Sequence, residues 1–313
     1  PLYWNDKETV INSATFLAIE NPSTDVARYR AGDLDITSYA LPPEQFAKLQ
    51  KELPGEVFTT RTLATYSYEL NNKKAPFDNV NVRKALNLSL DRNVITDKVL
   101  GQGQTPTYVF TPTYIEEGHL IQQPAYSKEP MAQRNEEAIK LLEEAGYSKA
   151  NPLKFTILYN TNENHKKVAI AAASMWKANT KGLIDVKLEN QEWKTYIDSR
   201  RAGRYDAARA GWNADYNQAT TFGNYFLSNS SNNTAKYANP EYDKAIAESY
   251  VATDAEGRAK AYAKAEEILA KDFGIVPIFN YVNPRLVKPY VKGYSGKDPQ
   301  DHIYLRNLYI IKH

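Results

Sequence analysis

The middle of the chain alternates short apolar runs with amphipathic segments, and this pattern predicts an α/β domain. Three runs have the length and β-branched content of strands: Leu153–Tyr159, Ile184–Asn190 and Tyr205–Trp212. The two segments between them have helical periodicity: His165–Thr180 and Lys194–Ala202. A β-α-β-α-β order predicts parallel strands joined by right-handed crossovers. Ligands bind such sheets beyond the carboxyl ends of the strands, so the region of Trp193 and Trp212 is the predicted binding region.

The opening third of the chain also mixes predicted element types. Strands are predicted at Val10–Ile19, Leu34–Tyr39 and Thr59–Leu70, and helices at Asp25–Tyr29, Pro42–Leu53 and Asn81–Leu100. The stretch Gly101–Tyr126 is dense in Pro, Gly and Tyr and predicts a long loop. Loops of this length are usually functional or wrapped around another part of the protein.

Helical periodicity returns in the second half of the chain. Helices are predicted at Gln133–Ala145, Pro240–Val251 and Ala255–Lys271. Gly146 is the predicted left-handed residue that ends the first of them. Thr253 and Glu256 have the spacing of a capping box before the third. The tail from Ile275 is β-rich and is punctuated by prolines.

Composition excludes several classes of partner. The 313 residues include 39 basic and 37 acidic side chains, spread without a block of like charge, so neither nucleic acid nor an anionic membrane is predicted as a partner. Cysteine is absent, which excludes disulfides and thiolate chemistry. The sequence opens at Pro1 without an initiator Met or a leader, and we interpret this as an internal start within a longer protein.

Catalytic and cofactor motifs are missing from the sequence. The four His have no His-x-x-x-His spacing, no Gly-x-Ser-x-Gly or phosphate-binding loop occurs, and Gly101–Pro106 lacks the third glycine of a dinucleotide fingerprint. We therefore predict a protein that is not an enzyme and that uses no cofactor or metal. A peptidase or other hydrolase, and a structural or chaperone-like role, remain as alternatives from other classes.

Charged and aromatic residues gather near the predicted strand ends: Trp193, Arg200, Arg209, Trp212 and Asp215. Taken singly, each of the tryptophans could also be a core residue, and each of the charged residues could lie on a solvated face. Together, a carboxylate and two guanidinium groups among rings can bind both ends of a zwitterion through charge-assisted hydrogen bonds. This combination predicts a binding site for a small zwitterionic ligand.

Several motifs resemble the periplasmic oligopeptide-binding proteins of Gram-negative bacteria, including their murein-tripeptide-binding relatives. The most specific are QEWKTY at 191–196, RAGWNADYN at 209–217 and RLVKP at 285–289. Four further motifs support them: YELNN at 68–72, YNT at 159–161 with HKK at 165–167, YANPEYD at 237–243 and YIIKH at 309–313. The similarity runs along the whole chain.

The resemblance implies a fold and a division into lobes. It implies an α/β, periplasmic-binding-protein-like fold (type II, cluster C) in which two lobes close over the ligand like a flytrap, present here in part. Residues 1–63 with 273–313 are expected to form part of the first lobe, and residues 64–272 the complete second lobe. The parts of the family that this chain does not match include the strand that pairs with the peptide backbone.

The resemblance also implies roles for individual residues. Asp215 matches the carboxylate that takes the peptide α-ammonium group, and Arg209 and His165 match positions that meet the carboxyl terminus of peptides of different length. The remaining expected ligand-binding residues line side-chain pockets or their watery surroundings: Glu69, Trp193, Arg200, Trp212 and Tyr281.

Two departures from the family pattern stand out. Leu100 replaces a lysine that reads peptide length, a replacement shared with the murein-tripeptide branch. Ala64 and Asn213 correspond to two cysteines that can form a disulfide in the oligopeptide branch, and both are lost here.

The expected function is a periplasmic receptor that captures peptides of about two to five residues and delivers them to an inner-membrane ABC permease. Wet, roomy pockets accept varied side chains because water fills the unused space. A murein-tripeptide receptor is the close alternative and a peptidase the distant one. The protein is expected to be a monomer.

Overall fold

The computed structural model describes residues 3–19, 21–38 and 40–312. Tyr39, at the end of one predicted strand, and the terminal Pro1 and His313 lie outside the described residues. Within them, no helix is both long enough and apolar enough to cross a bilayer.

Nine α-helices lie in the described part of the chain: α1 (Pro22–Ala31), α2 (Pro43–Glu52), α3 (Val80–Leu88), α4 (Met131–Glu144), α5 (Glu163–Asn179), α6 (Trp193–Arg201), α7 (Thr220–Gly223), α8 (Pro240–Val251) and α9 (Ala255–Lys271). Eight β-strands also lie in the described part of the chain: β1 (Val57–Leu70), β2 (Thr105–Pro106), β3 (Leu153–Asn160), β4 (Ile184–Gln191), β5 (Ala207–Asn213), β6 (Ile275–Leu286), β7 (Val291–Lys292) and β8 (Tyr309–Ile310).

The chain divides into two compact units. The first comprises the described residues of Pro1–Thr62, Leu100–Gln104 and Tyr281–His313, and the second comprises Leu63–Val99 and Thr105–Asn280. The assignment of residues to two ligand-binding lobes stays a prediction.

The first unit has its own small core. Its helix α1 begins after Asn21, whose side-chain oxygen accepts the backbone N–H of Ser23 at 2.8 Å. The helix ends at Gly32, where φ is +88°. The buried side chains on and around α1 and α2 are Val26, Tyr29, Leu41, Phe46, Leu49 and Leu286.

The predicted strand at Val10–Ile19 is wrong, because that segment has no regular structure. Most of its side chains are exposed, Phe16 by 83%, and among the described residues no strand pairs with the segment, although Ile11 packs against the buried cluster of Val287, Val291 and Leu308. The predicted strand that starts at Leu34 is reduced to one bridge between Ile36 and Val287.

The second unit contains the predicted parallel motif. Strand β3 pairs in parallel with β4 on one side and with β5 on the other. Helices α5 and α6 connect them, which confirms the predicted β-α-β-α-β order. Strand β1 joins the other edge of β5 in antiparallel register, and the complete order is β2-β6-β1-β5-β3-β4.

An aromatic core fills the space beside this sheet. Phe110 lies 4.8 Å from Phe226 and 5.3 Å from Phe222 between ring centroids. Helices α8 and α9 bury Ile246 and Leu269 in the same cluster. This packing fixes the chain that follows β5, which is where the binding region was predicted.

The predicted helix Asn81–Leu100 is two helices in the structure. Helix α3 ends at Leu88, and a π-helix spans Val94–Leu100. Asp91 lies between them, and its carboxylate accepts the backbone N–H of Asn93 at 3.0 Å. This local hydrogen bond starts the second helix, whereas α3 has already ended three residues earlier, where the Leu88 carbonyl accepts the Nε–H of Arg134 at 3.0 Å.

Two predicted helix ends can be compared with the structure. Gly146 has φ of +89° and donates its N–H to the Glu143 carbonyl at 2.9 Å, which confirms its role after α4. The capping box with Thr253 is wrong, because Asp254 caps α9 by accepting the N–H of Gly257 at 2.7 Å. Aspartate is as good a cap as threonine or better, so the sequence left both positions possible.

Candidate functional site

The carboxyl end of β5 carries Trp212 and, two residues beyond the strand, Asp215. The half-buried indole of Trp212 lies edge-on to the Tyr225 ring with centroids 4.9 Å apart. Its Nε1–H donates to the hydroxyl of Thr221 at 3.2 Å. The ring is therefore held by the aromatic core on one side and by a hydrogen bond on the other.

The Asp215 residue is exposed, but its position is fixed from within the unit. The Thr221 hydroxyl donates to Asp215 Oδ2 at 3.2 Å and accepts the Asp215 backbone N–H at 3.2 Å. The following loop is tied down as well, since Asn217 Oδ1 accepts the N–H of Glu116 at 3.1 Å. An exposed carboxylate held in this way can accept an ammonium group.

Arg209 and His165 both lie close to one aromatic ring, that of Tyr66. The Arg209 guanidinium carbon is 5.2 Å from the ring centroid of Tyr66, and the His165 ring is 5.6 Å from the same ring. Tyr66 is buried and stacks on Phe279 at 4.7 Å, so it is a rigid support for both groups. The structure thus brings together the two residues that the resemblance links to the peptide carboxyl terminus.

His165 is neutral near pH 7 in this environment. Burial, followed by the positive charge of Arg209, lowers the pKa of His165 well below its ordinary value of 6.5. Its backbone N–H donates to Asn162 Oδ1 at 3.1 Å, which fixes the residue in the first turn of α5. A neutral imidazole can donate one hydrogen bond while Arg209 supplies the positive charge, and this pair suits a carboxylate ligand.

Glu69 and Arg200 form a buried ion pair. The Arg200 Nε and Nη2 atoms donate to the two Glu69 carboxylate oxygens at 3.0 Å each, with side chains 12% and 1% exposed respectively. The Tyr225 hydroxyl donates to Glu69 Oε1 at 2.6 Å, and the Thr234 hydroxyl donates to Oε2. Burial disfavours the charge on Arg200, yet the Glu69 carboxylate holds the pKa of Arg200 well above its ordinary value. The expected contact of this pair with ligand stays a prediction.

Trp193 and Tyr281 are the remaining predicted ligand-binding residues, one in each unit. Trp193 is the first residue of α6, not a strand-end residue, and is 55% exposed with its ring 5.8 Å from Tyr196. Tyr281 and the buried Leu100 belong to the other unit. There the Tyr281 carbonyl accepts a hydrogen bond from the Thr62 hydroxyl at 3.2 Å.

Sequence reasoning missed the residues that support the site, namely Tyr66, Thr221, Tyr225 and Thr234. Tyr66 and Tyr68 point to the same face of the predicted strand Thr59–Leu70, so alternation along the strand could have drawn attention to Tyr66. The threonines had no local signal, because their partners are distant in sequence.

Ala64 and Asn213 face each other across the sheet, as register partners of β1 and β5. The backbone N–H of Ala214 donates to the Leu63 carbonyl at 2.8 Å, so the neighbouring Ala64–Asn213 pair is of the non-hydrogen-bonded type. These are the positions at which the resemblance implies paired cysteines in relatives.

Among the residues that the structure describes, no group of three or more His, Asp or Glu side chains could hold a metal ion. The site as built offers hydrogen bonds, charges and rings. Such groups bind a ligand with two charged ends.

The comparison with protein families matches residues 1–234 to the model of "Bacterial extracellular solute-binding proteins, family 5 Middle". The chain belongs to this family. It is a family of binding proteins, and membership confirms the prediction that the chain is not an enzyme.

The chain is similar over its full length to the "Periplasmic oligopeptide-binding protein OppA" of Haemophilus influenzae, at 96% identity over 313 residues. These residues are 100% of this chain but 58% of that relative. The chain therefore spans less than two thirds of the length of the relative it matches. The relative confirms the predicted resemblance and the periplasmic location.

Two solved structures have the same fold as this chain. The crystal structure of Haemophilus influenzae OppA in complex with RPPGFSPFR matches with a TM-score of 0.95 and 95% identity, covering 100% of this chain and 61% of that one. The murein tripeptide binding protein MppA of Escherichia coli matches with a TM-score of 0.93 and 44% identity, covering 99% and 60%. These matches confirm the predicted fold class, and the sequence is more similar to OppA than to MppA.

Proposed function

We propose that this chain forms part of a periplasmic receptor that captures peptides and delivers them to an ABC permease of the inner membrane. The observation that carries the proposal is the presence in one unit of an exposed, fixed carboxylate at Asp215 and of the Arg209 guanidinium beside the neutral imidazole of His165. Opposite charges at separate places suit the two ends of a peptide. The peptide complex of the OppA that is 95% identical supports it.

In the proposed binding mode, the α-ammonium group of the peptide meets Asp215 and the carboxylate meets Arg209 and His165. The flanking rings and the buried ion pair line the side-chain pockets, with these residues involved: Glu69, Trp193, Arg200, Trp212 and Tyr281. Residues 64–272 would form one lobe, and residues 1–63 with 273–313 part of the other. The receptor would act as a monomer and without nucleic acid.

Peptide length is the least constrained part of the proposal. The resemblance implies peptides of about two to five residues. The OppA of Haemophilus influenzae was solved with the longer peptide RPPGFSPFR. We therefore extend the proposed range to include peptides of that length.

A murein-tripeptide receptor is the second candidate function. Leu100 favours it, since this position is shared with the murein-tripeptide branch and offers a ligand only a buried apolar side chain. Identity favours the oligopeptide receptor, at 95% against 44% for the two solved relatives. Competition between a murein tripeptide and tri-lysine for the full-length receptor separates the candidates.

Isothermal titration calorimetry of the full-length receptor tests the proposed binding mode. Trialanine, tri-lysine and RPPGFSPFR should all bind, and Asp215→Asn should weaken each of them. The loss of one charge-assisted hydrogen bond, about 1.5 to 3 kcal/mol, corresponds to roughly tenfold or more in affinity. Glu136→Gln changes an exposed carboxylate on α4 and should leave affinity unchanged. Unchanged affinity in Asp215→Asn would overturn the proposed role of Asp215.

A further inference from the structure

We propose that Thr221 is a positioning residue for peptide binding, and that its hydroxyl group couples the Asp215 carboxylate to the indole of Trp212. The inference rests on the proposed function, in which Asp215 meets the peptide α-ammonium group. Thr221 itself need not touch the peptide.

The hydroxyl of Thr221 has three hydrogen-bond partners in the structure. It donates to Asp215 Oδ2 at 3.2 Å, and it accepts from the Asp215 backbone N–H at 3.2 Å and from Trp212 Nε1–H at 3.2 Å. A hydroxyl has one proton to donate and two lone pairs to accept with. Thr221 therefore uses its full hydrogen-bonding capacity on two predicted ligand-binding residues.

Thr221 is anchored in the interior of the unit, whereas Asp215 is exposed. Thr221 is 4% exposed, and the next residue, Phe222, is fully buried in the aromatic core. The Thr221 backbone N–H also donates to the Gln218 carbonyl at 3.3 Å. Because the core holds Thr221 in place, its hydroxyl restricts the rotation of the Asp215 carboxylate, which would otherwise rotate in solvent.

Fixing the carboxylate before the ligand arrives raises affinity. A free side chain must lose rotamer freedom when it binds, and this ordering costs about 0.5 to 1.5 kcal/mol per side chain. Asp215 Oδ2 accepts the hydrogen bond from the Thr221 hydroxyl, and the remaining lone pairs of the carboxylate stay available to an ammonium group. The same hydroxyl sets the tilt of the Trp212 indole, so the charge and the ring are presented together.

The test compares three variants of the full-length receptor by calorimetry with trialanine. Thr221→Val removes the hydroxyl at nearly constant volume and should weaken binding by about two- to tenfold, because the freed carboxylate must then be ordered when the peptide binds. Thr221→Ser keeps the hydroxyl and should restore most of the affinity. Thr220→Val is the matched control, because the Thr220 hydroxyl contacts Gln218 and Tyr262 but not Asp215.

Two further readouts distinguish positioning from a general structural role. N-acetyl-trialanine lacks the ammonium group and should bind the unmodified receptor more weakly than trialanine does. Its affinity should be nearly the same for Thr221→Val as for the unmodified receptor. Combining Thr221→Val with Asp215→Asn should weaken binding no more than Asp215→Asn alone, since both changes remove one interaction. The indole N–H resonance of Trp212, assigned with Trp212→Phe, should shift in Thr221→Val and not in Thr220→Val.

Each outcome supports or overturns a specific statement. If Asp215→Asn leaves binding unchanged, the proposed binding mode is wrong. If Asp215→Asn weakens binding and Thr221→Val does not, the mode stands and the role of Thr221 is wrong. Should Thr221→Val fail to fold, Thr221→Ala takes its place, and equal losses for trialanine and its acetylated form would contradict positioning.

Discussion

At the scale of single residues, Glu69 and Arg200 are the most deeply buried pair of opposite charges among the predicted site residues. Removing one partner leaves the other charge buried and uncompensated. We predict that Glu69→Ala lowers the free energy of unfolding by about 3 to 5 kcal/mol. Urea unfolding of the full-length protein, followed by circular dichroism, measures this loss.

The exposed pair Lys264 and Glu248 provides the control. Lys264 Nζ and Glu248 Oε2 are 3.1 Å apart, and the side chains of Lys264 and Glu248 are 46% and 43% exposed. Glu248→Ala should cost at most about 1 kcal/mol, because solvent screens such pairs. Similar losses in the two variants would mean that the Glu69 pair is not the structural element its burial indicates.

His165 predicts a pH dependence. Burial and the charge of Arg209 depress its pKa in the folded chain below the ordinary value of 6.5. Between these two pKa values the unfolded chain binds a proton that the folded chain does not, so stability must fall as the pH drops through about 6.5. We predict that His165→Gln flattens this part of the curve of unfolding free energy against pH.

The Arg209→Met variant tests the cause of the shift. Without the neighbouring positive charge, the pKa of His165 should rise, and its ring proton resonances should titrate at higher pH than in the unmodified protein. An unchanged midpoint would assign the whole shift to burial.

At the scale of elements, the helices and strands that could be predicted correctly are those with a periodic pattern over many residues and with packing partners close in the sequence. The β3-α5-β4-α6-β5 unit meets both conditions. Val10–Ile19 has apolar residues, but among the described residues no strand pairs with it, and periodicity cannot supply the partner that a strand needs. The helix that follows α3 begins where the Asp91 carboxylate accepts the backbone N–H groups of Asn93 and Val94, a local cap that helical periodicity does not reveal.

The pairing of β1 with β5 predicts an engineered disulfide. Ala64 and Asn213 are register partners of the non-hydrogen-bonded type, with Cα atoms about 4.5 Å apart in such pairs, within the range that a disulfide spans. We predict that Ala64→Cys with Asn213→Cys forms a disulfide on air oxidation. Mass spectrometry and thiol titration detect it, and stability should rise by about 2 to 4 kcal/mol.

A neighbouring cysteine pair provides the control for this disulfide. Ala64→Cys with Ala214→Cys places the side chains on opposite faces of the sheet, and it should keep free thiols. Bond formation in both pairs would indicate that the register of β1 and β5 is not fixed.

At the scale of the whole molecule, the site could be predicted only in part. Asp215, Arg209 and His165 were accessible from motifs, and their partners Thr221 and Tyr66 were not. A hydroxyl six residues from Asp215 becomes its hydrogen-bond donor only because α7 turns the chain back toward β5. Such contacts are set by packing of the core, which a single sequence does not encode in any local pattern.

These 313 residues hold a share of the proposed binding site that can be measured. All the predicted ligand-binding residues except Tyr281 lie in one unit, and the chain matches 58% of the OppA of Haemophilus influenzae. Binding sites enclose most of a small ligand, so losing a large share of the contacts should cost more than about 1.4 kcal/mol, or tenfold in affinity. We predict that these residues alone bind trialanine at least about tenfold more weakly than a full-length receptor. Calorimetry on both proteins measures the difference, and equal affinity would mean that the matched residues contain the complete binding site.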